Sequence, residues 1–147
     1  ADGFTALAAA NPKQVAFRTG MDEALAHKIY GAADIFVMPS RFEPCGLSQM
    51  IAMRYGSLPL VRETGGLKDT VVPYNQFTGE GTGFSFMNYN AHELQETIWR
   101  SLWLYRNDKQ TWERLIRNAM SYDSSWERSA GEYMSLYRNA IERKKGI

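Results

Sequence analysis

The sequence predicts an α/β domain built on a parallel β-sheet. Short apolar runs that suit buried strands recur near residues 15, 35, 58 and 84, and helical periodicity occupies most of the segments between them. Glycine and proline residues interrupt the pattern where one element should end and the next begin. A chain of 147 residues is long enough for one domain with a single core. Because ligands of such sheets bind beyond the carboxyl ends of the strands, functional residues are expected there.

The segment before the central strand predicts two helices and a strand. Residues 3–10 are small and mostly apolar and suit a helix that Asn11-Pro12 terminates. Val15-Ala16-Phe17 form a strand candidate. Asp22 is placed to cap a helix with an apolar face, which Gly31 is expected to end.

The stretch from Ala33 to Val61 predicts a strand–loop–helix–strand unit around which the chain is organised. The apolar run Ile35 to Met38 suits a buried strand, and Pro39 ends it because proline cannot continue the hydrogen-bond ladder. A polar loop at residues 40–44 then leads to a helix that we expect to begin at Cys45-Gly46. The N–H groups at such a helix start favour bound anions.

Gly56 supplies a stop for this helix, and the apolar run 58–61 predicts the next strand. Pro59 is awkward there, so the strand either starts at Leu60 or loses a hydrogen bond. Residues 62–83 contain five glycines and a proline and predict a long loop with little regular structure, which in a compact domain is usually functional.

The C-terminal part predicts a last strand and three helices. Phe84-Ser85-Phe86 is the strand, and a capping box from Asn90 to Glu93 begins the first helix. Trp112 lies on the apolar face of the second helix. A second box, Ser124 to Glu127, is expected to begin the third, whose apolar stripe contains Trp126, Ala130, Tyr133, Tyr137 and Ile141.

The composition excludes several classes of function. A net charge of +1 gives no electrostatic reason to expect nucleic acid or an acidic membrane as partner. The chain has no apolar run long enough to span a bilayer and no basic-then-apolar start typical of a signal peptide. The single cysteine fits a reducing cytoplasm. His27 and His92 have no partner at metal-binding spacing, so we expect no metal site.

Two strings make the family recognisable. PSRFEPCGLSQ at residues 39–49, followed by TGGLKDTV at residues 64–71, closely resembles bacterial glycogen synthases and plant starch synthases. The resemblance covers nearly the whole chain and continues through Trp126, Tyr133 and Tyr137. It reaches only the last part of such an enzyme. A string of this length and unusual composition is far more specific than a lone glycine pattern.

The resemblance implies a two-domain GT-B glycosyltransferase in which two Rossmann-like domains face each other across a cleft. Residues 1–124 would be most of the C-terminal, nucleotide-sugar-binding domain. Residues 125–147 would be a C-terminal helix that crosses to the missing N-terminal domain. The implied reaction is retaining transfer of glucose from ADP-glucose to the non-reducing end of an α-1,4-glucan, with no metal or redox cofactor. The diphosphate-binding basic residues and the acceptor domain would lie upstream.

The resemblance also assigns candidate site residues. Taken alone, Glu43 is better explained as a surface carboxylate near a helix start. The family resemblance reverses this interpretation, because the matching glutamate contacts the donor glucose and stabilises positive charge near its anomeric carbon. Cys45, Gly46 and Leu47 would present backbone amides to the sugar, and the Ser48 hydroxyl would contact the distal phosphate. Glycine at position 46 lets the backbone come close to a ligand.

Two positions depart from wider patterns. Met21 stands where the family usually has a tyrosine stacked on the nucleotide base, and a methionine can still lie against a base. Ile51 stands where the broader retaining transferases carry a second glutamate, which the glycogen and starch synthase group also lacks. The segment Thr64–Leu67 is better explained as a tight turn lining the cleft than as a phosphate loop.

Two alternatives remain open from the sequence. The first is a related transferase that uses UDP-glucose or another sugar nucleotide. The second is a non-catalytic sugar- or nucleotide-binding module that kept this half of the fold. An upstream glycine-rich Lys-Thr-Gly-Gly-Leu-type loop in the parent reading frame would favour the enzyme, and its absence would favour the module.

Overall fold

The computed structural model describes residues 2–145 of the chain. One parallel sheet contains the strands in the order β1-β2-β3, with β1 at Ile35–Met38, β2 at Leu58–Arg62 and β3 at Phe84–Phe86. Ile35 lies opposite Leu58, and Leu60 lies opposite Phe84, so β2 is the middle strand. The predicted parallel α/β architecture is confirmed.

All helices except α4 lie in segments where the sequence predicts a helix. The helices are α1 Asp2–Ala10, α2 Glu23–Ala32, α3 Ser48–Tyr55, α4 Gly66–Thr70, α5 Ala91–Asn107, α6 Lys109–Met120 and α7 Trp126–Lys145. Helix α3 connects β1 to β2, and α4 lies on the connection from β2 to β3. The predicted caps of α2 and α5 are present: the Asp22 carboxylate accepts from the Leu25 N–H at 2.9 Å, and Asn90 Oδ1 accepts from the Glu93 N–H at 2.8 Å.

Pro59 lies inside β2, opposite Phe36. The Leu58 N–H points toward β1 and donates to the Asp34 carbonyl oxygen at 3.0 Å. Successive backbone N–H groups of a strand point to opposite sides, so the missing N–H of Pro59 falls on the β3 side. The β2–β3 pairing begins only with Leu60 and Phe84. Pro59 is therefore part of β2. Its missing N–H leaves no gap in the β2–β3 ladder, because β3 has not yet begun at that position.

The main core lies between the sheet and helices α3, α5 and α6. Trp112 of α6 stacks on Phe84 of β3 with ring centroids 6.0 Å apart, and Tyr105 of α5 meets Trp112 edge-on at 5.1 Å. Full burial of a large apolar side chain such as Phe84 contributes about 1.5–3 kcal/mol to stability. The buried members of this core are Met53, Leu58, Leu60, Phe84, Phe86, Leu104, Trp112, Leu115 and Ala119.

A smaller core cluster corrects the prediction of a long irregular loop after β2. Leu67 of α4 is fully buried and packs with Val61 and Val71, with Met38 against them. Further along, Pro73 and Gly83 form an isolated parallel bridge. The five-residue helix α4 lacks a side-chain cap, so its sequence carries no start signal, and the burial of Leu67 stabilises it instead.

Three other expectations about elements are wrong in detail. Residues 15–17 are not a strand; Phe17 instead stacks on Phe4 of α1 with ring centroids 5.8 Å apart. Helix α2 extends one residue past Gly31. At the start of α7 the Arg128 N–H donates to Ser125 Oγ at 3.3 Å, so the cap is one residue later than the predicted Ser124.

Helix α7 exposes the apolar stripe that the sequence predicts. Trp126 is 88% exposed, and the later stripe members Tyr133, Tyr137 and Ile141 are each more than half exposed. The neighbouring side chains of Met134 and Leu136 are exposed to a similar degree. No helix among residues 2–145 is both long and apolar enough to cross a membrane.

Candidate functional site

The candidate residues lie at the carboxyl edge of the sheet, where β1 and β2 end side by side. Residues 39–47, here called the Glu43 loop, connect the end of β1 to α3. Thr64, Gly65 and Gly66, here called the glycine turn, follow β2 and lead into α4. Because β1 and β2 are parallel neighbours, the loop and the turn emerge next to each other.

Arg62, the last residue of β2, fixes the first half of the Glu43 loop. Its Nε donates to the Ser40 carbonyl oxygen at 2.8 Å, and its Nη2 donates to the Arg41 carbonyl oxygen at 2.5 Å. A third guanidinium nitrogen, Nη1, reaches the Met87 carbonyl oxygen after β3 at 3.4 Å. The rigid fork of donors thus connects the carboxyl ends of β1, β2 and β3.

The second half of the Glu43 loop rests directly on the glycine turn. A Cβ added at Gly65 would overlap the Glu43 carbonyl oxygen, and one added at Gly66 would overlap the Cys45 carbonyl oxygen. The Gly66 N–H also donates to the Pro44 carbonyl oxygen at 3.4 Å. Only glycine permits so close a backbone approach. The turn therefore does more than line a cleft, because its backbone supports the loop that carries Glu43.

The Glu43 side chain is half-buried and available to a ligand. Among residues 2–145, none hydrogen-bonds or ion-pairs with its carboxylate. The neighbouring Cys45 has an exposed, free thiol, whereas Gly46 is buried. The loop thus presents one unpaired carboxylate from a backbone that is held on both sides.

Helix α3 begins later than the sequence predicts, and its N-terminus is free of side-chain caps. Gly46 has a left-handed φ of +74°, which an α-helix cannot include, so Cys45 and Gly46 belong to the loop and the first helical residue is Ser48. Leu47 occupies the cap position and accepts nothing through its side chain. Helices α2, α5 and α6 are capped by Asp22, Asn90 and Asp108. The first N–H groups of α3 therefore lack the partner that side chains give to these other helices.

Met21 lies in the segment that leads into helix α2, and no side-chain contact within residues 2–145 joins it to the Glu43 loop. Met21 immediately precedes the Asp22 cap, and its side chain is fully exposed, at 105% of the reference area. The structure thus leaves Met21 unpacked and does not join it to Glu43.

A large cavity lies elsewhere on the surface that residues 2–145 form. It has a volume of about 1200 Å³ and lies between residues 73–77, β3 and α5, with Trp99 and Trp103 in its wall. Neither the Glu43 loop nor the start of α3 contributes to it. The candidate site is defined by the backbone contacts that converge on the Glu43 loop, not by an enclosed cavity. Residues 2–145 contain no cluster of three or more His, Cys, Asp or Glu side chains that could hold a metal ion.

Sequence reasoning missed the residues that hold the loop in place. In the sequence, Arg62 and Thr70 fall in the stretch predicted as a long irregular loop, and Gln49 appears as an ordinary residue of a predicted helix. Their partners are distant in the sequence and are not predictable from local patterns. A weak signal was available for Gln49, since a polar side chain within a helix packed on a parallel sheet needs a hydrogen-bond partner if it is buried.

The sheet, the edge site and the sequence together define the class of this protein. The sequence profile of the family described as glycosyl transferases group 1 matches residues 4–121, and the chain belongs to this family. Its curated relatives include several glycogen synthases. It is 54% identical to the glycogen synthase of Acholeplasma laidlawii over 143 residues, which are 97% of this chain and 30% of that protein. It is 63% identical to that of Clostridium beijerinckii over 117 residues, 80% of this chain and 24% of that protein.

Solved structures agree with this assignment. The catalytic domain of starch synthase IV from Arabidopsis thaliana, bound to ADP and acarbose, superposes with a TM-score of 0.82 at 39% identity. The match covers 96% of this chain and 30% of that structure. A sucrose-phosphate synthase from Thermosynechococcus elongatus matches with a TM-score of 0.65 at 25% identity, over 97% of this chain and 34% of that structure. The chain thus spans about a quarter to a third of the length of these proteins.

Proposed function

We propose that this chain is the donor-binding part of a retaining glucosyltransferase of the glycogen synthase type. The complete enzyme transfers glucose from ADP-glucose to the non-reducing end of an α-1,4-glucan. The observation that supports this most strongly is the unpaired Glu43 carboxylate on a loop held at the carboxyl edge of the sheet, in a chain 54% identical to a glycogen synthase over 143 residues. The ADP in the starch synthase IV structure supports an adenine nucleotide as donor.

Each part of the proposed site has a chemical task. Glycosyl transfer develops positive charge at the anomeric carbon, and the fixed Glu43 carboxylate would stabilise it without reorganising. The uncapped N–H groups at the start of α3, together with the Ser48 hydroxyl, would bind the distal phosphate, because this end of a helix attracts anions. The backbone at Cys45, Gly46 and Leu47 would approach the sugar. Met21, whose side chain is fully exposed, would lie against the base.

The other components of the proposed reaction are not supplied by residues 2–145. The acceptor glucan, the facing N-terminal domain and the basic residues for the diphosphate belong to the rest of the enzyme under this proposal. We place the enzyme in the cytoplasm, which the single cysteine supports. No metal or redox cofactor takes part in the proposed reaction.

The experiment is a transfer assay with the full-length protein and glycogen as acceptor, using ADP-glucose and UDP-glucose in parallel. We expect incorporation of glucose with a higher kcat/KM for ADP-glucose. Preference for UDP-glucose would instead identify the enzyme as a related transferase that uses this donor. Binding of nucleotide or glucan without any transfer would favour a non-catalytic module, and the proposal would then be wrong.

A further inference from the structure

The Gln49 side chain lies directly behind the Glu43 loop and is fully buried. Its Nε2 donates to the Gly46 carbonyl oxygen at 2.6 Å and to Thr70 Oγ1 at 3.0 Å. Because both contacts require a donor at Nε2 and Thr70 donates its own hydroxyl proton elsewhere, they fix the orientation of the amide. One side chain of α3 therefore joins the loop to α4.

The hydrogen bonds form a closed path around the loop. Thr70 Oγ1 donates to the Gly66 carbonyl oxygen at 2.6 Å, and the Gly66 N–H donates to the Pro44 carbonyl oxygen at 3.4 Å. Starting from Gly46, the path runs through Gln49 and Thr70 to Gly66 and returns to the loop at Pro44. Both ends of the segment that includes Cys45 are thus fixed to α4.

The same side chain constrains the conformation of Gly46. A Cβ at this position would lie 2.5 Å from Gln49 Oε1 and 2.8 Å from Nε2, and Gly46 has a φ of +74°. The amide packs into the space that a side chain at position 46 would occupy. Gly46 and Gln49 are therefore a matched pair, in which the absence of one side chain leaves room for the other.

Stability alone does not explain a glutamine here. Gln49 Oε1 is buried and has no hydrogen-bond partner among residues 2–145. A buried, half-satisfied amide stabilises a fold less than an apolar side chain of similar size. Its Nε2 donor, in contrast, binds the backbone of the Glu43 loop at Gly46, close to the start of α3. Small displacements at this position alter catalysis.

We propose that Gln49 and Thr70 are positioning residues, which hold the backbone of the Glu43 loop in the conformation that transfer requires. The proposal rests on the proposed function, because the loop is the assigned donor site. Neither side chain contacts the substrates; both act through the Gly46 and Gly66 backbone.

The test uses the full-length protein and compares Thr70→Val, Thr70→Ser and Gln49→Met with wild type. Valine keeps the shape of threonine but removes the hydroxyl, serine keeps the hydroxyl, and methionine keeps the length of glutamine without a donor. Thr97→Val is the matched control, because Thr97 is a buried threonine of α5 with 2% exposure whose hydroxyl accepts from Arg100 and from no residue of the loop. The readouts are kcat and KM for ADP-glucose, melting temperature, and amide hydrogen exchange of residues 44–47.

For Thr70→Val and Gln49→Met, we expect kcat to fall by about 10- to 100-fold and exchange of residues 44–47 to accelerate. Thr70→Ser should recover most of the wild-type kcat and most of the slow exchange. Thr97→Val should leave kcat and exchange at wild-type values. Wild-type kcat and exchange in Thr70→Val and Gln49→Met would overturn the proposal, as would an equal kcat loss in Thr97→Val. If wild type itself transferred no glucose, the proposed function would fail, whereas the exchange measurement would still decide whether Gln49 and Thr70 hold the loop.

Discussion

At the scale of single residues, Glu43 is held by its backbone and not by its side chain. Its carbonyl oxygen faces Gly65 so closely that a Cβ there would overlap it, while its carboxylate is half-buried and unpaired among residues 2–145. A carboxylate without partners contributes little to folding, and it is free to act on a ligand. The proposed chemistry therefore makes separate predictions for Glu43 and for the glycines beneath it.

Glu43→Gln in the full-length enzyme should lower turnover by about a hundredfold or more, because the amide cannot stabilise developing positive charge. The melting temperature should stay within a few degrees of wild type. Steady-state transfer to glycogen and thermal unfolding measure the two effects.

Glu63→Gln is the control for this change. Glu63 also lies at the carboxyl edge, but its carboxylate accepts a hydrogen bond from Ser85 Oγ at 2.7 Å, which a glutamine oxygen can also accept. This variant should keep wild-type turnover. Near-normal turnover in Glu43→Gln would remove Glu43 from the mechanism.

Gly66→Ala should destabilise the protein by about 1–3 kcal/mol, because the added methyl group meets the Cys45 backbone and the loop or α4 must move. Gly131→Ala is the matched control: Gly131 lies in α7, and nothing lies within 4 Å of an added Cβ. Since alanine is the better helix former, this control should be neutral or stabilising by up to about 1 kcal/mol. Denaturant unfolding of both variants measures the difference, and equal stabilities would show that the turn does not support the loop.

At the scale of elements, the sequence predicts those features that depend on neighbouring residues. The caps at Asp22 and Asn90 each involve a side chain and an N–H three residues later, so the pattern is local and both are confirmed. The strand 35–38 was predictable because a short apolar run after a helix suits a parallel sheet.

The features that the sequence could not predict depend on distant contacts. Helix α4 has five residues and no capping side chain, and it forms because Leu67 is buried beside Val61 and Val71. Likewise, the TGG string is visible in the sequence, but its contact with Glu43 and Cys45 is not. In the candidate site, the sequence located Glu43, Cys45 and Gly46, and their assigned roles stay predictions. The hydrogen bonds through Arg62, Gln49 and Thr70 were not predictable.

The helix starts also predict how stability depends on pH. The Asn88 backbone N–H, with the Asn88 side chain and Met87 N–H, holds the pKa of Glu93 below its ordinary value of 4.5. In the same way, the Thr111 backbone N–H lowers the pKa of Asp108, and Ser125 lowers that of Asp123. A carboxylate whose pKa is lowered by folding stabilises the fold above its unfolded pKa. That stability is lost as the pH falls through the folded pKa.

The free energy of unfolding should therefore fall as the pH is lowered from about 5 to about 3, and Glu93→Gln should reduce this dependence. Glu142→Gln, which changes an exposed carboxylate of α7, is the control and should keep the wild-type dependence. Denaturant unfolding at several pH values measures the slopes. Identical slopes of unfolding free energy against pH for Glu93→Gln and wild type would show that Glu93 does not contribute to the pH dependence.

At the scale of the whole molecule, helix α7 contributes no side chain to the two core clusters of residues 2–145. Its apolar stripe is exposed along its length, with Trp126 at 88% and Tyr133 at 61%. A contiguous apolar stripe of this size favours association with another surface. We predict that residues 125–147 pack against the first domain of the complete enzyme, as the family resemblance implies; Gly146 and Ile147 lie outside the described residues.

The 147-residue chain alone should fold, transfer no glucose, and either self-associate or be cut by protease within residues 125–142. Replacing Tyr133 and Tyr137 together with lysine should reduce self-association by disrupting the stripe. Size exclusion with light scattering, limited proteolysis and a transfer assay measure these outcomes. A strictly monomeric chain whose α7 resists protease would contradict the predicted role of the helix, and glucose transfer by the chain would show that the site is complete without a second domain.

The most direct test of the account is the structure of the full-length Glu43→Gln variant with ADP-glucose bound. We predict the distal phosphate at the N-terminus of α3, within hydrogen-bond distance of Ser48, and the glucose ring beside residue 43 and the Gly46 backbone. The nucleotide sugar bound instead in the cavity walled by Trp99 and Trp103, with the Glu43 loop empty, would contradict it.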